Sequence, residues 1–352
     1  MMIKLAVGIL LVLGLAGCSS LDQAKSRELG DELKVSNELL EDAPQSIASS
    51  YAANPQVQAF IDRLVKNDHF DKKRLELAFS RIKVREKVIE KSNNQPEVLI
   101  PYYKYRTRFV SSQRIESGKA FAIKNKYWLD KAEKEYGVDW HIIVSLIGVE
   151  TYYGRITGSQ DVFTSLTTLA FDYPRRQKYF QSELKAYLLL ARENGWNIGA
   201  TKGSYSGAMG MVQFMPSNYR KLAIDYDGDG RIDLWHSDAD AIGSVANYLK
   251  HHGWEFDKPC LVMANVKSPE TVKKWVNFDS KPIKTAAQWS TLDILPSQSF
   301  LPEKMGLIGL RTAEDKTSYW LAYENFFTIM DYNPSRRYAM SVLELAKSIG
   351  EQ

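Results

Sequence analysis

WHIIVSLIGVETYYGR, residues 140–155, is apolar around most of its circumference. Ile142, Ile143, Leu146, Ile147 and Val149 recur at helical spacing, so the segment is expected to be a helix inside a core rather than on its surface. Glu150 closes that run. A carboxyl group among aliphatic side chains loses hydration in its charged form, which raises its pKa and keeps a proton available near neutral pH. That is what a general acid needs. Gly154 follows Tyr152 and Tyr153 and is the expected stop of the helix. A glutamate at a helix end is ordinarily solvated or salt-bridged, so the reading of Glu150 rests on what surrounds it in the rest of the chain.

The amino terminus sets the compartment. Lys4, an apolar core from Leu5 to Leu15 and small residues after it have the layout of a secretory signal, too short for a permanent membrane span. Leu15-Ala16-Gly17-Cys18 resembles the bacterial lipobox, in which cleavage precedes the cysteine and Cys18 is lipidated. Ser19, in place of an aspartate, fits delivery to the outer membrane, and several acyl chains hold more firmly than one. Cys260 is then the only thiol, so no intrachain disulfide supports the fold and a large apolar core must.

The 352 residues carry a formal net charge of +4, with 46 Lys and Arg against 42 Asp and Glu. Such a balance does not indicate a nucleic-acid partner. The basic stretch Lys72–Lys91 interleaves glutamates and reads as the solvated face of a helix. Residues 19–50 are polar and read as a flexible tether. Apolar spacing then predicts two short helices around His69, in a turn or capping role, and a helix from about Ser117 through Tyr136. Pro174 is placed to open a long helix that Asn194-Gly195 ends, which puts Arg175 and Arg176 in its first turn, where the helix dipole disfavours cations. They are either simply exposed or aimed at an anionic ligand. Residues 199–215, GATKGSYSGAMGMVQFM, form a glycine-rich loop opening a helix at Pro216. Its order excludes a phosphate-binding P-loop, and Ser204 and Gln213 are its candidates for ligand contact.

Asp225, Asp227 and Asp229 stand at positions 1, 3 and 5 of a calcium-type loop, with Gly230 at 6 and Arg231 at 7. His236 stands where a bidentate glutamate is usual, and Asp240, or else Asp238, is expected to supply the last ligand. His251 and His252 are adjacent, face different directions and receive no metal role. From Leu261 to Ala322 short β-prone runs predict a small sheet, and a final helix from Arg337 to Ile349 carries Tyr338 in its first turn.

Four of these segments resemble one family together: GVET with the following GR, YPRR at 173–176, GSYSGAMGMVQFMPSNY, and DGDGRIDLW with ADAIGSVANYLKHHGW. The chain after about Tyr51 is similar to the lytic murein transglycosylase B family of Gram-negative bacteria. The resemblance implies an α+β, predominantly α fold: a helical part (51–125), a lysozyme-like catalytic core (126–258) with an EF-hand-like loop (225–240), a small β part (259–322) and a segment returning to the core (323–352). It implies exolytic cleavage of the β-1,4 MurNAc–GlcNAc bond of peptidoglycan glycan strands to a 1,6-anhydromuramoyl product, without a catalytic cofactor. Ca2+ is then a structural ion. Glu150 matches the sole acid/base, and Tyr105, Arg175, Arg176, Ser204, Gln213, Tyr248, Asn333 and Tyr338, with Tyr332 as a weaker match, are placed to hold glycan or peptide. The bulk of Tyr152 and Tyr153 is a departure that is expected to alter one subsite. Outer-membrane lipid, through acylated Cys18, and cell-wall synthesis proteins are the further partners to test.

Ordinary glycosidases need a second carboxylate to attack the sugar or to activate water. Asp161 and Asp172 are nearest in sequence, but lie in polar, loop-like stretches. With one carboxyl, the deprotonated Glu150 would instead act as base on the sugar's own C6 hydroxyl. A hydrolytic muramidase and a non-catalytic wall-binding lipoprotein remain as alternatives.

Overall fold

A computed structural model of the chain describes residues 51–93, 100–278, 281–297 and 303–351. The signal, Cys18 and the tether lie outside these residues. The chain enters through a short turn, Tyr51–Ala53, then α1 (Pro55–Asp68), α2 (Lys72–Ser80) and α3 (Glu86–Asn93). His69 ends α1 with a left-handed backbone, φ 56°, so it is a cap. After α4 (Tyr102–Tyr105) come α5 (Ser112–Lys124) and α6 (Lys126–Tyr136). These two replace the single helix expected to about Tyr136. Asn125 leaves helical geometry between them, and its side-chain amide bonds the Phe121 carbonyl at 3.1 Å and Asp238 at 2.9 Å, competing with the helical ladder.

The apolar run forms α7 (Trp140–Thr151), capped at its start by Asp139, which accepts from the His141 amide at 2.8 Å. Every residue from Ile142 to Val149 is buried. Gly154 is not the stop. Tyr152 adopts the left-handed conformation at φ 55° and ends the helix two residues earlier, with its amide on the Gly148 carbonyl. Four helices surround α7: α5, α6 and, later in the chain, α11 (Asp238–His251) and α15 (Arg336–Gly350). The Ser145 hydroxyl, fully buried, donates to the Val342 carbonyl of α15 at 2.5 Å.

Between α7 and α11 run β1 (Gln160–Asp161), α8 (Val162–Asp172), α9 (Gln177–Glu193), β2 (Lys202–Gly203), antiparallel to β1, and α10 (Pro216–Leu222). Pro174 does not open α9 directly. Residues Pro174–Arg176 make one 3-10 turn and the α-helix begins at Gln177, so Arg175 and Arg176 precede it. A small antiparallel sheet follows α11, made of β3 (Leu261–Val266), β4 (Lys284–Thr285), β5 (Ile294–Pro296), β6 (Lys304–Arg311) and β7 (Thr317–Ala322) in the order β4-β6-β7-β3-β5. One-turn helices α12 (Pro269–Val272) and α13 (Ala286–Ser290) lie within it, and α14 (Glu324–Tyr332) leads to α15.

The result is a mostly helical α+β chain with two apolar cores. The larger draws side chains from Tyr51 through Ile349, and the smaller, around Trp289, Ile294, Met305 and Leu321, belongs to the sheet. Strands β6 and β7 touch both. Ile308 and Leu310 face the large core, Met305 and Leu307 the small one, as the two-residue alternation of a strand requires.

Candidate active site

Glu150 is the next-to-last residue of α7, and unlike the eight residues before it, it is half-exposed. The helix ends here because Thr151, buried beside it, donates its hydroxyl to the Met211 carbonyl at 2.6 Å, while Tyr152 turns the chain left-handed. The first turn of α15 meets it. Ser335 caps that helix, and the Tyr338 hydroxyl donates to Glu150 Oε1 at 2.5 Å. Burial and then the charge of Glu150 push the Tyr338 ionisation far above the usual tyrosine range, so it remains a donor. Tyr332 is pushed up by the same causes, and its hydroxyl donates to the Val212 carbonyl at 2.5 Å. Tyr248 packs on it with ring centroids 4.7 Å apart and donates to the Asp331 carbonyl at 2.7 Å.

Glu150 opens onto a cavity of about 730 Å³. One wall is the glycine-rich loop, with Ser204, Tyr205, Ser206 and Gln213. Gly210 allows that loop to fold so tightly: its φ is +72°, and a Cβ there would stand 2.7 Å from the Leu234 side chain. The opposite wall is Tyr332 to Arg337, and the sheet contributes Gly309, Leu310 and Arg311 from the end of β6, with Asn277 beside them. Asn277 is held to β6 by two hydrogen bonds, its amide group to the Gly309 carbonyl at 2.8 Å and the Gly309 amide to its oxygen at 3.2 Å. Among the described residues lining the cavity Glu150 is the one carboxylate, facing the guanidinium groups of Arg176, Arg311, Arg336 and Arg337. Such a lining favours an anionic, hydroxyl-rich ligand.

Of the residues singled out in the sequence, Glu150, Arg176, Ser204, Gln213, Tyr332 and Asn333 line this cavity. Tyr338 reaches it through Glu150. Tyr105 and Tyr248 do not line it. Both are buried, Tyr105 against Phe109 and Tyr248 against Tyr332 and His252, and they stiffen the floor behind the acid. Arg175, exposed on the 3-10 turn, also stands outside, whereas Arg176 folds over the Tyr179 ring at 4.1 Å. Ser204 accepts from the Ala208 amide at 3.0 Å and Gln213 donates to the Thr157 and Gly210 carbonyls, so both also hold the loop's shape. Neither Tyr152 nor Tyr153, whose bulk was expected to alter a subsite, lines the cavity. Tyr153 turns back under α7 to stack on Phe121 at 5.5 Å, and Tyr152 packs against the guanidinium groups of Arg114 and Arg155.

Asp161 caps α8 and Asp172 accepts from Tyr51, and neither lines the cavity. A buried acid that the sequence reading missed is Glu183 on α9. Burial raises its pKa, and both its oxygens are held, one by the Ser217 amide at 2.9 Å and the other by the Ser217 hydroxyl at 2.7 Å. It caps α10 and lies outside the cavity lining.

In the acidic loop, carboxylate oxygens of Asp225, Asp227 and Asp229 come within 4.8 Å of one another. Asp225 is positioned by the amides of Gly228, Asp229 and Gly230. Asp240 lies outside this cluster. Its two oxygens accept from the Tyr226 and Asp233 amides, each at 2.7 Å, so it fastens the loop from beneath. Asp238 is bound to Lys124 and Asn125 instead. Arg231, at position 7 of the loop, donates its amide to Asp229 Oδ1 at 2.8 Å.

The sequence pattern described as Transglycosylase SLT domain matches residues 52–347. The chain belongs to this family. The transglycosylase is 35% identical over 348 residues to membrane-bound lytic murein transglycosylase B of Escherichia coli, covering 95% of this chain and 94% of that protein. Its fold is similar to that of soluble lytic transglycosylase SltB1 from Pseudomonas aeruginosa, with 38% identity, TM-score 0.78, and coverage of 84% of this chain and 98% of the other. It is likewise similar to the Escherichia coli lytic transglycosylase Slt35 in complex with calcium, with 36% identity, TM-score 0.76, and coverage of 88% and 98%. The transglycosylase is thus a lysozyme-like lytic enzyme acting on peptidoglycan. Among its described residues no helix is long and apolar enough to cross a membrane.

Proposed function

We propose that Glu150 alone performs both proton transfers of the cleavage. The observation that supports this is the charge inventory of the cavity, one carboxylate among four guanidinium groups in its described lining. Hydrolysis by either ordinary route needs a second carboxylate across the sugar, about 5 to 9.5 Å from the first. Glu183 is the nearest buried candidate in character, yet its oxygens are committed to Ser217. Glu150 therefore donates its proton to the glycosidic oxygen as the C1–O bond breaks and positive charge develops at C1. It then takes the proton of the muramoyl C6 hydroxyl while O6 bonds to C1, closing the 1,6-anhydro ring. Acid and base are restored in one turnover, and no water is added. The Tyr338 hydroxyl on Oε1 stabilises the carboxylate form between the two steps. Arg176 and Asn333 are proposed to hold the anionic and amide groups of a peptide-bearing strand, with Ser204 and Gln213 on the glycan side.

Mass spectrometry of products from purified sacculi tests the reading, since transglycosylation leaves the product with the new muramoyl end 18 Da lighter than hydrolysis does. Glu150→Gln should abolish product while strand binding persists. Reducing-end products, or turnover in Glu150→Gln, would overturn it.

We propose that Asp225, Asp227 and Asp229 hold a structural calcium ion, supported by their converging oxygens and by the calcium complex of a relative. An ion held there would stabilise the folded chain by mass action. We also propose lipid attachment at Cys18, supported by the lipobox-like sequence and the membrane-bound relative.

A further inference from the structure

The chain's positive charge is concentrated in one place. Residues Lys72–Lys87 contain seven lysines and arginines against two glutamates, a net +5, whereas the whole chain is +4 and everything outside this stretch therefore sums to −1. The structure leaves all seven cations exposed, with Lys72 paired to Asp62. Lys73, Leu77 and Arg81 follow at i, i+4, i+8 along and just past α2, with Arg74 alongside, and all four are exposed. Lys83, Val84, Arg85 and Lys87 continue it, also exposed, into the start of α3. Leu75, Phe79, Ile82 and Val88 point the other way into the core. The stretch is thus not uniformly polar: Leu77 is 41% and Val84 53% exposed.

At a bilayer interface lysines and arginines reach anionic headgroups while apolar side chains between them enter the acyl boundary.

We infer that the face formed by Lys73, Leu77, Arg81, Lys83, Val84 and Arg85 docks on an anionic phospholipid surface. This stands apart from the lipid attachment proposed at Cys18, and adds to it. An acyl anchor keeps the chain near the bilayer without orienting it, whereas a basic and apolar face sets which side of the enzyme meets the membrane. None of these residues lines the catalytic cavity.

The test uses the chain from residue 18 onward with Cys18→Ser, so that no acyl chain contributes. Sedimentation with vesicles of phosphatidylethanolamine and phosphatidylglycerol is compared with vesicles of phosphatidylcholine alone. Binding should be at least tenfold stronger to the anionic vesicles and should fall at least tenfold between 50 and 300 mM salt, as screening requires. Lys83→Glu with Arg85→Glu should weaken it a further tenfold or more. Leu77→Ser with Val84→Ser should weaken binding that remains at high salt. Both double variants should release anhydro-muropeptides from sacculi at the unaltered rate, which separates this face from the catalytic reading. Equal partition to both vesicle types, or charge reversals without effect, would overturn the inference. So would a loss of binding to sacculi in place of vesicles, which would assign the face to the anionic wall polymer.

Discussion

Replacing Gly148 by alanine puts the positioning of Glu150 to a direct test. A Cβ built on Gly148 would lie 2.6 Å from both Cζ and the hydroxyl oxygen of Tyr153 and 2.8 Å from its Cε1, closer than side-chain carbons are found. The ring has nowhere to go. Phe121 stacks on it at 5.5 Å, its hydroxyl donates to the Arg114 carbonyl at 3.0 Å, and Gly118 leaves no room at its tip. The backbone there is already committed to three successive positive φ values, at Tyr152, Tyr153 and Gly154. Alanine gains about 1 kcal/mol of helix propensity over glycine, and overpacking costs about 1–3 kcal/mol, so the net loss of stability should be at most about 2 kcal/mol. Catalysis should suffer more. If the strain moves Glu150, two residues from Gly148, misplacement of the carboxyl by ~1 Å costs about a hundredfold in rate. Steady-state release of anhydro-muropeptides should show kcat lowered by about 10- to 100-fold with KM nearly unchanged, alongside a urea unfolding curve shifted only modestly. Adding Tyr153→Leu, which vacates the contested space, should recover part of the rate. An unchanged kcat, or strictly additive effects of the two substitutions, would refute the idea that this contact sets the acid's position.

Other outcomes follow from single contacts. Tyr338→Phe removes the donor from Glu150 Oε1, a hydrogen bond to a charged group of about 1.5–3 kcal/mol, and should lower kcat by roughly 10- to 100-fold with glycan binding intact by calorimetry. Asp240→Ala orphans two amides at about 1–3 kcal/mol each, and denaturant titration should show a loss of at least ~2 kcal/mol with or without calcium. Calcium at a hundredfold over its Kd should add about 2.7 kcal/mol to the wild-type chain, an increment absent after Asp225→Asn. Burial lowers the pKa of His252 despite Asp331 nearby, so the folded chain resists the proton that the unfolded chain accepts. Stability from this group is complete above the ordinary histidine value and declines as pH falls through it, and His252→Gln should show a shallower loss between pH 7 and 5 than wild type.

The sequence carried the catalytic helix plainly because a buried helix must be apolar on nearly every side, and one acid at its end breaks that pattern. Its stop was misread for a physical reason. Gly154 is the residue type that ordinarily takes a left-handed cap, yet Tyr152 takes it, since Arg114 and the glycines at 118 and 148 hold both tyrosines in place. Asn125 hides a helix break because asparagine is tolerated in a helix until a partner such as Asp238 draws its side chain away. The resemblance placed Tyr105 and Tyr248 to hold glycan or peptide, whereas both are buried outside the cavity lining, a difference of depth that no motif encodes. Asn277 and Arg311 gave no local signal at all. They reach the cavity only because β6 ends beside Tyr102 and Arg336, a fact of tertiary assembly that no spacing along the chain encodes.

Strand β6 has consequences for how the molecule comes apart. Its odd-numbered apolar residues Met305 and Leu307 and its even-numbered Ile308 and Leu310 seal different interiors, so peeling the sheet away would wet both at once. The small sheet therefore cannot melt as an independent module. Heat or denaturant should dismantle it and the helices in one concerted event, and excising it would leave a hole in the side of the enzyme rather than a trimmed enzyme.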